Sequence, residues 1–242
     1  YPVYVFIYLL VSALIYLVLS LQKKSLQQKF EQEKRITELE LLTIKNQIDP
    51  HFIMNAVNVL GSVIFKSEQE KQKSYQFLIN LSSMIRDTLQ NSKELSVSLK
   101  EELDFVENYL QIQQYRFNKS FSFEINNEVT DLPSVEVPKM IIQTFAENAV
   151  KHGLAHKKEG NGKLIIDIKK TYEAIRIEIS DNGIGRKQAY NVSKRSTGKR
   201  LEIINQIMTL YNRLKDKNVN YKVVDLKENE KPAGTKIIIK IQ

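Results

Sequence analysis

The first 21 residues, Tyr1 to Leu21, carry no charged side chain and are rich in Val, Leu, Ile, Tyr and Phe. About 20 apolar residues are enough for a helix to span a bilayer. A buried core helix is the competing reading, but an uncharged run of this length at a chain end favours a span. No basic leading region and no small-residue cleavage site mark it as a signal peptide. Lys23, Lys24, Lys29, Lys34 and Arg35 follow, and the positive-inside tendency then puts everything downstream in the cytoplasm. The expected location is the cytoplasmic (inner) membrane, with residues after about 21 in the cytoplasm. The chain opens on Tyr1 and not on methionine, so the natural protein is expected to begin upstream.

The rest of the 242 residues is long enough for one large domain or two small ones. There are no cysteines, which excludes disulfides, cysteine-ligated zinc and thiol chemistry, and fits a reducing compartment. The net charge of +8 suits an anionic ligand, an anionic membrane face or nucleic acid, and by itself selects none of them. Aromatic residues do not interleave with the basic ones as in a nucleic-acid platform, so direct nucleic-acid binding is not expected.

Residues 22–45 are polar and contain neither Gly nor Pro, with an imperfect apolar stripe at Leu26, Phe30, Ile36, Leu39 and Ile44. This predicts a continuous helix leaving the membrane. Residues 46–65 are again helical in pattern, with a kink or restart at Pro50. A second helical stretch over 68–92 places Phe77, Leu78, Leu81, Met84, Ile85 and Leu89 on one side. The two make an antiparallel hairpin, and two hairpins would pair as a four-helix bundle. Ser98 opens the next helix, with Glu101 completing a capping box.

From residue 119 the period changes. Phe121, Phe123 and Ile125 alternate with polar residues, as do Leu164, Ile166 and Ile168, then Ile175, Ile177 and Ile179. A helix is expected from Pro138 to about His152, and another carries Leu201, Ile204, Met208 and Tyr211 on one face. Two strands close the chain, with Val219, Tyr221 and Val223, then Ile237, Ile239 and Ile241. The fold class is α+β: helices on one face of a mixed, mostly antiparallel sheet.

Four places could carry chemistry. Gln47, His51, Asn55 and Asn58 share one helical face beside a proline. Neutral imidazole is a competent nucleophile near pH 7, although a lone histidine is more often a solvated one. Glu147-Asn148-Ala149-Val150-Lys151-His152-Gly153 places Thr144, Asn148 and Lys151 along a helix. An amide oxygen ligates Mg²⁺ and a lysine neutralises phosphate; alone, an ordinary amphipathic helix explains the pattern. Asp181-Asn182-Gly183-Ile184-Gly185 ends a strand in a carboxylate followed by two glycines. Such a carboxylate can accept a hydrogen bond from an exocyclic amine, and an Asn-Gly turn is the bland alternative. Gly198 after Thr197, and Gly234-Thr235 before the last strand, complete the set.

In this order and spacing the elements resemble the GHKL ATPase superfamily, and with QIDPHFIMNAVN upstream they resemble the LytS-type (YehU-type) sensor histidine kinases. The family's phosphoacceptor signature, Q-I-N-P-H-F-x-x-N-x-x-N, is matched at Gln47, Ile48, Pro50, His51, Phe52, Asn55 and Asn58, with Asp49 in place of Asn. SLKEELDFVENYLQIQQYRF, residues 98–117, resembles the family's helix joining its two domains. The resemblance covers about 40–242. With the transmembrane helix at 1–21 and the juxtamembrane linker at 22–45 read from the residues themselves, it implies dimerisation and phosphoacceptor helices at 46–117 and an α/β sandwich ATP-binding catalytic domain at 118–242.

It also implies roles. His51 would accept the γ-phosphoryl group of ATP, Asn148 would hold Mg²⁺ with Glu147 in the same box, and Lys151 and His152 would lie near the phosphates. Asp181 would read the adenine amine, with Gly183 and Gly185 letting base and lid approach. Residues from about Arg186 to Lys199 would form the lid, whose basic residues include Lys194, Arg195, Lys199 and Arg200. Gly234 and Thr235 would close the pocket. The partners implied are a second copy of the chain and a response regulator, with a LytTR-type DNA-binding domain. One departure stands out: after the lid the family tends to show G-x-G-L, whereas Gly198 is followed by Lys199, Arg200 and Leu201. Either the Arg200 guanidinium contacts phosphate or the lid binds nucleotide poorly. Two other readings therefore compete: a degenerate membrane signalling scaffold, and an ATPase of this superfamily without a histidine acceptor.

Overall fold

The computed structural model describes residues 2–47, 75, 77–86, 94–117, 120–157, 161–172, 174–192, 197–228 and 231–242. Its first element, α1 (Pro2–Gln47), is one helix of 46 residues. At 1.5 Å per residue it is about 69 Å long. No Gly or Pro interrupts residues 22–47, so the linker continues the apolar segment without a break. Phe6–Glu31 is long and apolar enough to cross a membrane, and none of its most apolar window is buried.

Residues 77–86 are helical. Phe77, Leu81 and Met84 are buried at the spacing of one helical face, while Leu78 is 42% exposed and so leaves the expected stripe. Leu89 and the turn of the hairpin lie outside the described residues. The segment packs on the helix after it, α2 (Leu99–Arg116). Asn80 Nδ2 donates to Gln111 Oε1 at 2.6 Å, and the Phe77 and Tyr115 rings meet edge to face at 5.7 Å. The capping box of α2 forms as expected: Ser98 Oγ accepts from Glu101 N, and Glu101 Oε2 accepts from Ser98 N.

Strand β1 (Ser96–Ser98) precedes α2 and pairs antiparallel with β3 (Glu136–Pro138). Pro138 therefore ends a strand and does not start a helix. The next helix, α3 (Ile141–Asn148), begins three residues later. The reason lies in the backbone: Lys139 N donates to Leu95 O at 2.9 Å, and Met140 turns the chain at φ 67. Beyond α3 come α4 (Arg186–Val192) and α5 (Thr197–Lys215).

The main sheet holds β2 (Phe121–Asn127), β4 (Gly162–Lys170), β5 (Ile175–Asp181), β6 (Val219–Glu228) and β7 (Lys231–Ile241), in the order β2-β4-β5-β7-β6. Only β2 and β4 run parallel. One face is an isoleucine ladder, Ile168 opposite Ile177 and Ile177 opposite Ile239. These are fully buried and share one core with Leu103 and Leu110 of α2, Ile142 of α3 and Ile204 of α5. Burying this ladder stabilises the fold by roughly 25 cal/mol per Å² of apolar surface removed from water. The alternate residues make ion pairs on the other face: Lys163 with Glu124 at 2.8 Å, and Glu178 with Arg176 and Lys236. The expected α+β class with a mixed, mostly antiparallel sheet holds.

Candidate active site

β5 ends in Asp181, which sits opposite Thr235 of β7 and Leu164 of β4. The residue is buried, 6% exposed. Gly183 N donates to Oδ1 at 2.8 Å, and the Thr235 amide also donates to the carboxyl. Burial pushes the Asp181 carboxyl up to about 6, against these two amides and the nearby Lys157 ammonium. Two glycines let the backbone close here. A Cβ at Gly183 would stand 2.5 Å from the Gly153 backbone. Gly234 holds φ +132, and a Cβ there would fall 1.9 Å from the Asp181 carbonyl oxygen.

The second wall is α3, which buries Ile141, Ile142, Phe145 and Ala146. After Asn148 the helix widens into a π turn, Ala149–Gly153, then tightens into a 3₁₀ turn, Leu154–His156. Single π turns inside helices recur at functional sites. Here Asn148, Ala149, His152 and Gly153 all line one cavity with Asp181. Its volume is about 380 Å³, within the range of small-molecule sites. The walls are apolar, formed by Phe145, Ile179, Leu201, Val223 and Ile237. Arg186, the first residue of α4, stands at the cavity and its Nε donates to Asp225 at 3.1 Å.

Asn148, His152, Asp181, Gly185 and Thr235 thus come together around one cavity, and Gly183 and Gly234 back the carboxylate. Glu147 and Lys151 form an ion pair of 2.5 Å next to it, with Glu147 buried. Gly198 and Arg200 lie in the first turn of α5, just before the cavity residue Leu201. His51 lies outside the described residues, as do Asp49, Pro50, Phe52, Asn55, Asn58, Lys194 and Arg195. Three contributors escaped the sequence reading. Gly153 faces Gly183, Lys157 Nζ donates to Asn182 O at 3.1 Å, and Asn182 Oδ1 accepts from Lys163 N at 2.7 Å. Gly153 closes the same box as Asn148 and Asn182 stands inside the motif at Asp181, so their positions in those motifs were the available signals; the contact from Lys157 follows only from the fold.

Residues 39–121 match the protein-family model described as histidine kinase. The sensor histidine kinase/phosphatase LytS of Staphylococcus aureus strain MRSA252 is 34% identical over 154 residues, which are 64% of this chain and 26% of LytS. LytS of strain Mu50 matches to the same extent. The chain therefore spans about a quarter of the length of the curated relatives it matches. Among solved structures, the histidine kinase domain of the Erythrobacter litoralis EL346 blue-light activated kinase superposes with a TM-score of 0.41 at 12% identity, covering 86% of this chain and 94% of that one. Acinetobacter baumannii AdeS gives 0.41 at 17%, covering 79% and 94%. The resemblance to LytS-type sensor histidine kinases drawn from the motifs is borne out by the family match and the LytS identity.

Proposed function

We propose that this chain is the membrane-proximal and cytoplasmic part of a two-component sensor histidine kinase, which binds ATP in the cavity at Asp181 and phosphorylates its own His51. The observation that carries this reading is a buried carboxylate lining an apolar cavity together with an amide and an imidazole. An apolar slot with one acceptor at its end suits a purine bearing an exocyclic amine. Asp181 accepts from that amine, and Phe145, Ile179 and Ile237 enclose the ring. Asn148 and His152 lie where the phosphates leave the slot, and Arg186 opens the lid segment. The family match over 39–121 includes His51.

Mg²⁺ keeps most of its shell as water and phosphate oxygens and takes one or two protein ligands. The Asn148 amide oxygen fits that sparse ligation, and among the described residues no cluster of three His, Cys, Asp or Glu offers a fuller cage. When bound, the ion supplies charge neutralisation on the triphosphate. The protein's part is to hold nucleophile and leaving oxygen in line. The hairpin within 46–92 dimerises as a four-helix bundle, because two short helices bury little surface alone. The phosphoryl group then passes to an aspartate of a response regulator, of LytTR type by the family likeness. Residues 1–21 hold the chain in the membrane with the remainder in the cytoplasm.

The test is incubation of the chain in detergent micelles with γ-labelled ATP and Mg²⁺. Acid-labile, base-stable label on wild type, absent from His51→Ala, is the expected result. Phosphate release without labelled protein would overturn the phosphoacceptor and favour a plain ATPase.

A further inference from the structure

The helix that carries Asn148 starts without a cap of its own. Its N-cap position is Met140, at φ 67, whose side chain makes no capping hydrogen bond. The first four N–H groups of a helix have no partner within it, and here they are buried. Three of them, Met140, Ile142 and Gln143, find one on another element. Glu102, in the first turn of α2, is 3% exposed. Its Oε2 accepts from Met140 N at 3.1 Å, and its Oε1 accepts from Ile142 N at 3.0 Å and Gln143 N at 3.1 Å. The Lys139 side chain, also buried, adds a favourable charge. Burial pushes the Glu102 carboxyl above its ordinary value, while the three amides and Lys139 pull it back.

The same helix α2 is held further along by the segment at 77–86, through Asn80–Gln111 and Phe77–Tyr115. One rigid helix is thus bonded at its start to the nucleotide-facing helix and beyond its middle to the segment that follows His51 in sequence.

We infer that Glu102 is a positioning residue for the nucleotide: capping α3 from α2, it fixes where Asn148 and His152 stand and ties that placement to the helix packed on the phosphoacceptor hairpin. This rests on the nucleotide reading of the cavity. The alternative role for Glu102 is only to neutralise Lys139, and two variants part the roles. Glu102→Asp keeps the charge and loses the reach. The double variant Glu102→Gln, Lys139→Met keeps the reach, with one oxygen still able to accept from Ile142 and Gln143, and removes both charges.

The experiment uses the full chain in micelles, with ATP-Mg titration and amide exchange of Ile142 and Gln143 read on the same samples. Capping predicts that Glu102→Asp raises the Kd for ATP about tenfold and speeds exchange at both amides, and that the double variant changes both by less. A Glu102→Asp protein with wild-type Kd and wild-type exchange overturns the inference. So does a double variant that departs further from wild type than Glu102→Asp. Should Glu102→Asp fail to fold, Glu102→Gln alone carries the test through the lost Met140 bond, with a several-fold rise in Kd expected and an unchanged Kd overturning. If wild type binds no ATP, the nucleotide reading falls and the positioning role with it. Exchange then still reports separately whether the cap exists.

Discussion

Two buried carboxylates, Asp181 in the cavity lining and Glu102 at the junction of α2 and α3, are treated very differently by the fold. Both are almost without solvent contact. Glu102 spends its acceptor capacity inward, on three backbone amides, with a lysine charge nearby. Asp181 has two amides and opens into a cavity of about 380 Å³ walled by apolar side chains. The difference separates a carboxylate whose partners the chain itself supplies from one that faces a cavity, where the proposed nucleotide would bind. A buried acceptor with capacity left over, facing a space, costs stability until something donates to it. A buried acceptor whose partners are all supplied by the chain is part of the scaffold.

Removing each group should therefore have opposite effects on the fold. Glu102→Ala leaves three buried amides without their carboxylate partner and takes one of the negative charges away from Lys139, and is expected to cost roughly 3–5 kcal/mol. Chemical denaturation measures this, and a loss of less than about 1 kcal/mol would erase the contrast.

Asp181→Asn should be neutral or stabilising at pH 7, and the pH dependence says why. The folded-state value of about 6 lies above the ordinary 3.8, so between these values the folded protein holds a proton that the unfolded chain has released. The stability Asp181 contributes is present below about 4 and lost as pH rises through about 6. The lost part is on the order of 3 kcal/mol. The advantage of Asp181→Asn over wild type should shrink by that order between pH 7 and pH 4. A difference that stays level across this range would mean that Asp181 is not held in a desolvated site.

The sheet and the site were legible in the sequence to different depths. Strict alternation in Ile166, Ile168, Ile177, Ile179 and Ile239 reads as strands because period two is local, and it placed the strands correctly. The capping box of Ser98 and Glu101 is local too, and it formed. Pro138 misled: its fixed φ suits a helix start, but the partner that claims it as a strand end, Ser96, lies 42 residues away. Asn148, His152 and Asp181 stood out as short motifs, whereas Glu102 looked like one more acidic residue of a first helical turn. Nothing near it in sequence shows that α3 lacks a cap and borrows this one. The π turn that brings His152 and Gly153 to the cavity is likewise set by packing and not by any residue preference.

The central claim, that Asp181 accepts from an exocyclic purine amine, is tested most directly by titrating the chain with ATP and with inosine triphosphate, which carries a carbonyl oxygen in place of the amine. Wild type should bind ATP at least about tenfold more tightly, since the inosine oxygen would face the carboxylate unpaired. In Asp181→Asn, whose amide can donate, that preference should vanish or reverse. Equal affinity of wild type for the two nucleotides would contradict the account.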